Sequence, residues 1–279
     1  EFAGVVASAD NAGNVRVWAT NTLNSLKQEK KDLTLGVNDL AFTGDGKRLL
    51  VVGAGRQQYG VAFLVETGTT VGSLTQHSKD ALSVDCRPVR PYVAVTSGED
   101  YQVSFYKGPP YKYEKSLEGN EKFVNSVRYS PNGEYLITVG SDKTGYLYEG
   151  KTGETIGKLD QEGGHTGSIY AAAWNPDSTQ FITVGADKAV KLWDAASRKC
   201  ITTFSFPNNE HNIQLGAAWT KDGPVSIALN GDIHVLDPAA PEQPKRTIYG
   251  HQKNPTGLAY DPQSNLAFTS SYDGLIAWE

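Results

Sequence analysis

The sequence lacks several features on which common chemistries and cellular locations depend. Its 279 residues include no methionine, two cysteines and five histidines. No run approaches the roughly 18 apolar residues of a membrane helix, and no secretory signal peptide opens the chain. The formal net charge is −5, and no basic run is interleaved with aromatic residues. Neither a nucleic acid nor a membrane is therefore expected as a partner.

The residues that catalysis or metal binding would need are also scarce. Cys86 and Cys200 have no CxxC or histidine neighbour, so they are predicted to be small buried side chains in a reducing compartment. The chain also has no Asn-x-Ser/Thr glycosylation site, and both observations favour the cytoplasm. No glycine-rich loop opens a predicted helix. We expect no enzymatic activity, no cofactor and no metal site.

What the sequence has in abundance is short strands separated by turns. The stretch from Phe123 to His165 predicts four strands, at Val124–Tyr129, Tyr135–Val139, Thr144–Tyr148 and Thr155–Leu159. Each is rich in β-branched and aromatic residues, and glycine, proline, asparagine or aspartate occupies the turns between them. A single meander of this size buries one face only against similar units, so further copies are expected.

The unit recurs along the whole chain. A large apolar residue ends the predicted third strand at intervals of 42 to 45 residues, at Trp18, Phe63, Tyr106, Tyr148, Trp193, Leu236 and Trp278. A second spacing agrees, since 22 or 23 residues separate His77 from Asp100, His165 from Asp187, His251 from Asp273 and, with asparagine in place of histidine, Asn120 from Asp142. Four strands per repeat of this length are typical of propeller blades.

These residues resemble the WD-repeat family, with GH at Gly164-His165 and Gly250-His251 and WD at Trp193-Asp194. The resemblance implies an all-β fold, a seven-bladed β-propeller of WD-repeat type. It also implies a buried hydrogen-bonded tetrad in each well-matched blade. The best match is the set His165, Thr183, Asp187 and Trp193.

The first and last blades are expected to be incomplete. Three strands are predicted in the last blade, and the first blade begins with what would be a second strand. Residues 1–279 are therefore predicted to form a single propeller that is an excerpt of a longer protein, whose flanking sequence would complete the ring.

The stretch from Lys107 to Arg128 departs from the repeat pattern. It carries five basic and three acidic residues in an acidic chain, together with Tyr111, Tyr113 and then Phe123. Aromatic side chains are favoured in the centres of protein interfaces, so this stretch is a candidate partner-binding surface. The alternative is that its tyrosines are strand core and its lysines a solvated face.

The non-consensus segments resemble the actin-interacting protein 1 family of WD-repeat proteins. They are RLLVVGAGRQQYGVAF, HSKDALSVDCRPVRPY, KGPPYKY, EKFVNSVRYSPNGEYL, EGKTGETIGKL, LNGDIHVLDP and GHQKNPTGLA. The resemblance implies two tandem propellers and a monomer at the actin cytoskeleton. It also implies binding to filaments decorated by cofilin, severing and disassembly of those filaments, and restraint of barbed-end regrowth. Lys122 and Phe123 match a basic-aromatic pair thought to contact actin and cofilin, and Lys112 and Tyr113 are weaker candidates.

Two other functions remain open at this point. A generic WD-repeat scaffold would read a peptide at the mouth of the central channel and would be indifferent to actin. A propeller hydrolase or lyase would need a metal or an acid–base cluster. Against it, three of the five histidines and the recurring aspartates occupy repeat positions, which leaves His211 and His234 as single side chains.

Overall fold

A computed structural model describes residues 4–20, 25–33, 35–56, 58–250, 255–262, 265–272 and 274–278. Within these ranges the chain is built from β-strands, and one short 3-10 helix, Glu210–Asn212, stands between two of them. Among the same residues no helix is long and apolar enough to cross a membrane. The prediction of an all-β fold is confirmed.

The strands form because their side chains alternate between two environments. In NVRVWA, Asn14–Ala19, the residues Val15, Val17 and Ala19 are buried and those between them are partly exposed. Central strands such as Arg48–Gly53 are buried along nearly their whole length and consist mainly of leucine and valine.

The chain divides into two compact units, the first of which is Glu1–Leu136 with Tyr148–Thr155. Three antiparallel sheets lie wholly within this unit, each with its strands in sequence order across the sheet. Their strands are β1 (Val5–Ala9), β2 (Asn14–Ala19) and β3 (Ser25–Lys31); β4 (Val37–Phe42), β5 (Arg48–Gly53), β6 (Gly60–Leu64) and β7 (Thr70–Leu74); and β8 (Ala81–Cys86), β9 (Val93–Gly98), β10 (Val103–Lys107) and β11 (Lys112–Leu117).

The fourth sheet has residues in both units. Its strands are β12 (Val124–Tyr129), β13 (Tyr135–Gly140), β14 (Gly145–Glu149) and β15 (Thr155–Lys158). All four strands predicted in this stretch are present, with ends that differ from the prediction by at most one residue.

The second unit is Ile137–Leu147 with Ile156–Glu279. It contains the fifth, sixth and seventh sheets. Their strands are β16 (Ile169–Trp174), β17 (Gln180–Gly185), β18 (Ala189–Asp194) and β19 (Cys200–Ser205); β20 (Gln214–Thr220), β21 (Gly223–Ala228), β22 (Ile233–Val235) and β23 (Arg246–Ile248); and β24 (Pro255–Asp261), β25 (Leu266–Ser271) and β26 (Gly274–Trp278).

Seven sheets of this kind are the seven predicted blades of a β-propeller fold. In the described residues the first and seventh sheets have three strands and the other five have four, as predicted. The large apolar residue that set the period lies in the third predicted strand of six repeats, and Leu236 lies one residue beyond β22.

Apolar faces of successive sheets form the core within each unit. In the first unit Leu50 and Val52 of the second sheet pack with Val84 and Tyr106 of the third. In the second unit Val190 and Leu192 of the fifth sheet cluster with Leu236 and partly buried residues of the sixth. Each sheet therefore depends on its neighbour to remove its apolar face from water.

Two carboxylates join the first strands of neighbouring sheets in the first unit. Asp39 Oδ2 on β4 accepts hydrogen bonds from the Val84 N–H at 3.0 Å and the Arg128 guanidinium at 3.0 Å. Asp85 Oδ2 on β8 accepts from the Tyr129 N–H of β12 at 2.7 Å. Burial raises the pKa of Asp85 to about 6, and the nearby Arg128 partly opposes that rise. These bonds fix the second, third and fourth sheets to one another along β4, β8 and β12.

Candidate partner-binding surface

The four residues proposed as a tetrad lie in one hydrogen-bonded chain in the fifth sheet. His165 Nδ1 lies 2.9 Å from Asp187 Oδ1, and its Nε2 lies 2.7 Å from Thr183 Oγ1. The Trp193 indole donates to the same Thr183 oxygen at 2.8 Å. Strands β17 and β18 bring Thr183 and Trp193 together, and the loop before β16 supplies His165.

The environment of Asp187 favours its charged form. Partial burial alone would raise the pKa of this carboxyl, but hydrogen bonds from His165 and the Thr166 N–H hold the pKa below its ordinary value. Both carboxylate oxygens have donors in the loop before β16, so the aspartate ties its turn to that loop. The hydrogen bonds of this set link the loop before β16 to β17 and β18.

The third sheet has a second set of hydrogen-bonded side chains like that of the fifth. The sequence analysis named two of its members, His77 and Asp100. His77 Nδ1 lies 2.9 Å from Asp100 Oδ1, and His77 Nε2 lies 2.7 Å from Thr96 Oγ1. Tyr106 stands where the fifth sheet has tryptophan, and its hydroxyl accepts from the Gln76 N–H at 3.4 Å. Thr96 follows His77 by nearly the same interval as Thr183 follows His165, and that interval was the signal available in the sequence.

Other sheets keep parts of the pattern. The Trp18 indole donates to Ser8 Oγ at 2.9 Å and the Trp278 indole to Thr269 Oγ1 at 2.7 Å. The predicted pair His251 and Asp273 lies outside the described residues.

Phe123 and Lys122 lie exposed just before β12. The Phe123 side chain is 38% exposed. Its ring packs against Tyr101, with the ring centroids 5.6 Å apart at an interplanar angle of 44°. Tyr101 follows β9 in the turn to β10, so two separate loops bring the rings together. Tyr101 is 46% exposed and was not singled out in the sequence.

Lys112 and Tyr113 begin β11, the outermost strand of the third sheet. Lys112 pairs with Lys107 across β10, which places it at the opposite end of the strand pair from Tyr101. Tyr113 is 42% exposed, and its hydroxyl lies 3.1 Å from Ser116 Oγ, which in turn donates to Gln102 Oε1 at 3.5 Å. The Tyr113 side chain therefore leans along the strand towards the turn that holds Tyr101, and Lys112 does not.

The side chains in the stretch from Lys107 to Arg128 differ in burial. Tyr111 is buried in the core shared by the second and third sheets, which is the strand-core alternative. Lys107 pairs with Glu114 at 2.5 Å, as lysines on a solvated face do. Tyr113 and Phe123 are exposed, as an interface would require.

The two cysteines differ in burial. Cys86 is buried, and this burial, together with the nearby Asp85 charge, raises the pKa of its thiol to about 12. Cys200 was also predicted to be buried, but it is only half-buried, because it begins the outer strand β19. In the described ranges, no group of three or more His, Cys, Asp or Glu residues is placed to hold a metal ion.

An open cleft with a volume of about 390 Å³ occurs in the second unit. Val225, Ile233 and Trp278 line it together with Lys245 and Arg246. Its walls offer mainly apolar contact between the sixth and seventh sheets.

Three parts of the sequence match a known family of repeats. The family model described as WD domain, G-beta repeat (WD40), matches residues 111–149, 153–194 and 242–277. With these matches and the seven sheets, the chain has WD40 repeats and a seven-bladed β-propeller fold.

Individual proteins with similar sequences give a more specific comparison. The chain is 41% identical over 275 residues to the 66 kDa stress protein of Physarum polycephalum, and 35% identical over 272 residues to actin-interacting protein 1 of Drosophila melanogaster. It is 39% identical over 275 residues to WD repeat-containing protein 1 of Xenopus tropicalis. Each alignment covers 97% of this chain and 45% of the relative. The predicted resemblance is confirmed, and the chain spans less than half the length of these relatives.

Proposed function

We propose that this chain binds actin filaments that carry cofilin, promotes their severing and disassembly, and restrains regrowth at barbed ends. The observation that carries the proposal is the similarity, over 97% of the chain, to a fly protein named actin-interacting protein 1. The exposed residues Lys122 and Phe123 support it, since they lie in one of the segments that resemble that family.

Phe123 supplies the kind of side chain that anchors protein interfaces. A partly exposed aromatic ring removes a large apolar area from water when a partner covers it, and such rings are frequent among residues that dominate binding energy. Lys122, its neighbour in the chain, would face carboxylates on actin or cofilin. Tyr113 is the next candidate contact because its hydroxyl chain reaches Gln102 beside Tyr101, and Lys112 is the weakest because it lies at the far end of β11.

The proposed action is binding without chemistry. The His and Asp side chains of the tetrads hold one another, and Cys86 is buried as a thiol. A protein that binds a distorted filament more tightly than an intact one shifts the filament towards breakage. The size of the shift is set by the difference between its two affinities. In this scheme the chain works as a monomer in the cytoplasm at the actin cytoskeleton.

We propose in addition that residues 1–279 are one propeller of a two-propeller protein. The support is that the relatives are more than twice as long as the part they share with this chain. Full disassembly activity would then involve both propellers, and filament binding by this one is the property to test first.

The test is cosedimentation of the 279-residue chain with cofilin-bound actin filaments. The double variant Lys122→Ala/Phe123→Ala is expected to lose at least about 2 kcal/mol of binding free energy, or roughly thirtyfold in affinity. Tyr249→Ala is the control, because Tyr249 is 80% exposed and removing it also deletes an exposed ring. Unchanged binding by a folded double variant would reject this site. Failure of the unaltered chain to bind would reject the actin proposal and favour a generic scaffold.

A further inference from the structure

The turn after β9 carries a bulky aromatic residue where two other repeats carry lysine. Tyr101, Lys143 and Lys188 each follow a turn aspartate and donate their backbone N–H to the carbonyl of the glycine three residues earlier. Each has a positive φ, of 69°, 68° and 60° respectively. A left-handed backbone is unfavourable for a bulky side chain, so the turn itself does not call for tyrosine. A residue held at such a backbone cost points to a function for its side chain.

The Tyr101 ring forms one exposed apolar surface with Phe123. The centroid separation of 5.6 Å and the tilted geometry fall within the range of attractive aromatic pairs. The two rings lie side by side, and each remains partly exposed to solvent. A partner that covers Phe123 therefore meets Tyr101 in the same contact.

Two lysines flank this pair of rings. Lys79 Nζ lies 5.9 Å from the centroid of the Tyr101 ring, within the reach of a cation–π contact. Lys122 is next to Phe123 in the chain, and both lysine side chains are exposed. Cations beside an apolar surface match a partner segment in which carboxylates lie next to apolar side chains.

The turn that presents Tyr101 is held from inside the sheet. The Asp100 carboxylate accepts from the Ser78 N–H at 2.8 Å and from the Gln102 N–H at 3.2 Å, besides its contact with His77. Because the backbone on both sides of Tyr101 is fixed by these bonds, little ordering entropy is lost when a partner covers the ring.

From these observations we infer that Tyr101 is a contact residue of the partner-binding surface. Tyr101 and Phe123 act as one two-ring anchor for an acidic, apolar segment of the cofilin-bound filament. This inference rests on the proposed function and adds a residue to its site.

The experiment is a double-mutant cycle in the same cosedimentation assay. Tyr101→Lys installs the residue that two other repeats hold at this turn, so it removes the ring and keeps the turn chemistry. It is expected to weaken binding about fivefold to thirtyfold. Phe123→Ala should weaken binding by a similar factor. The double variant should bind much more tightly than the product of the two factors predicts, because each ring loses its partner in the single variants.

Lys143→Ala is the matched control, since it alters the same turn position in the next repeat and should leave binding unchanged. Thermal unfolding checks that each variant is folded, and Tyr101→Phe, which keeps the ring, should bind like the unaltered chain. Normal binding by Tyr101→Lys with weak binding by Phe123→Ala would overturn this inference and leave the proposed function standing. If the double variant loses affinity by the full product of the two single-variant factors, the two rings do not act as one anchor. Normal binding by both single variants would overturn the inference together with the proposed site.

Discussion

Replacement of Thr183 by valine is expected to destabilise the fifth sheet strongly although it hardly changes side-chain volume. Thr183 is fully buried, and its Oγ1 lies 2.7 Å from His165 Nε2 and 2.8 Å from Trp193 Nε1. Because an indole N–H can only donate, the Thr183 oxygen accepts from Trp193, and with a neutral imidazole its own hydrogen is directed at His165. Valine lacks the hydroxyl that both groups share, so His165 Nε2 and Trp193 Nε1 stay buried without a bond.

Each buried polar group that loses its partner costs about 1–3 kcal/mol. The loss for Thr183→Val is therefore about 2–5 kcal/mol in the free energy of unfolding, after allowance for some relaxation around the site. Thr183→Ser is the matched control, because it keeps the hydroxyl and loses one methyl group, at about 1 kcal/mol.

Urea unfolding followed by tryptophan fluorescence measures both variants. Thermal unfolding gives a second reading, since 1 kcal/mol shifts the midpoint by about 2–4 °C in a domain of this size. A valine variant within about 0.5 kcal/mol of the unaltered chain would show that the hydrogen-bond chain contributes little. A serine variant as unstable as the valine variant would assign the effect to packing instead.

Two further predictions concern titratable groups. Burial holds the pKa of His234 below its ordinary 6.5. As the pH falls, the unfolded chain therefore takes up this proton first, and the free energy of unfolding decreases below about pH 6.5. His234→Phe should flatten that part of the stability curve, and an unchanged slope would contradict the assignment to His234. The thiol of Cys86 is buried, with its pKa raised to about 12, so an aromatic disulfide reagent should titrate at most one thiol in the native chain and two in urea. The thiol that reacts only in urea should be missing from Cys86→Ala, which identifies it as Cys86. Rapid reaction of both thiols in the native chain would refute the burial argument.

The fold could be predicted from the sequence because its units are local and repeated. The pattern of two short strands and the turn between them is contained within about 20 residues of sequence. Where the same meander recurs, the same hydrogen-bonded residues recur at the same spacing. His165 and Asp187 were therefore visible as a spacing before their contact of 2.9 Å was known. The same reasoning extends to His77 and Asp100, and only the threonine between them went unnamed.

The binding surface was less predictable, because exposure depends on details that no repeat fixes. Tyr111 and Tyr113 are two residues apart, and strict strand alternation would put both on one face. Tyr111 is buried and Tyr113 exposed, because Tyr111 precedes β11 and has a left-handed backbone, with φ of 64°. Strand β11 itself begins only at Lys112, and its first three residues are all exposed. The contact between Tyr101 and Phe123 joins two loops 22 residues apart, and only the packing of the third sheet against β12 brings them together.

Comparison among the repeats separates what the fold demands from what a partner would demand. The residue before the first strand is Phe123 in the fourth sheet, Asp80 in the third and Ser168 in the fifth. All three sheets form equally well, so propeller packing does not require an aromatic ring at that position. The fifth sheet, where the family pattern is fullest, uses Lys188 at the turn to donate to Asn208 within the chain. Phe123 and Tyr101 are two exposed rings that the repeat does not require and that lie together on the surface, and it is this adjacency, absent from a single exposed ring, that supports the proposed contact with a partner.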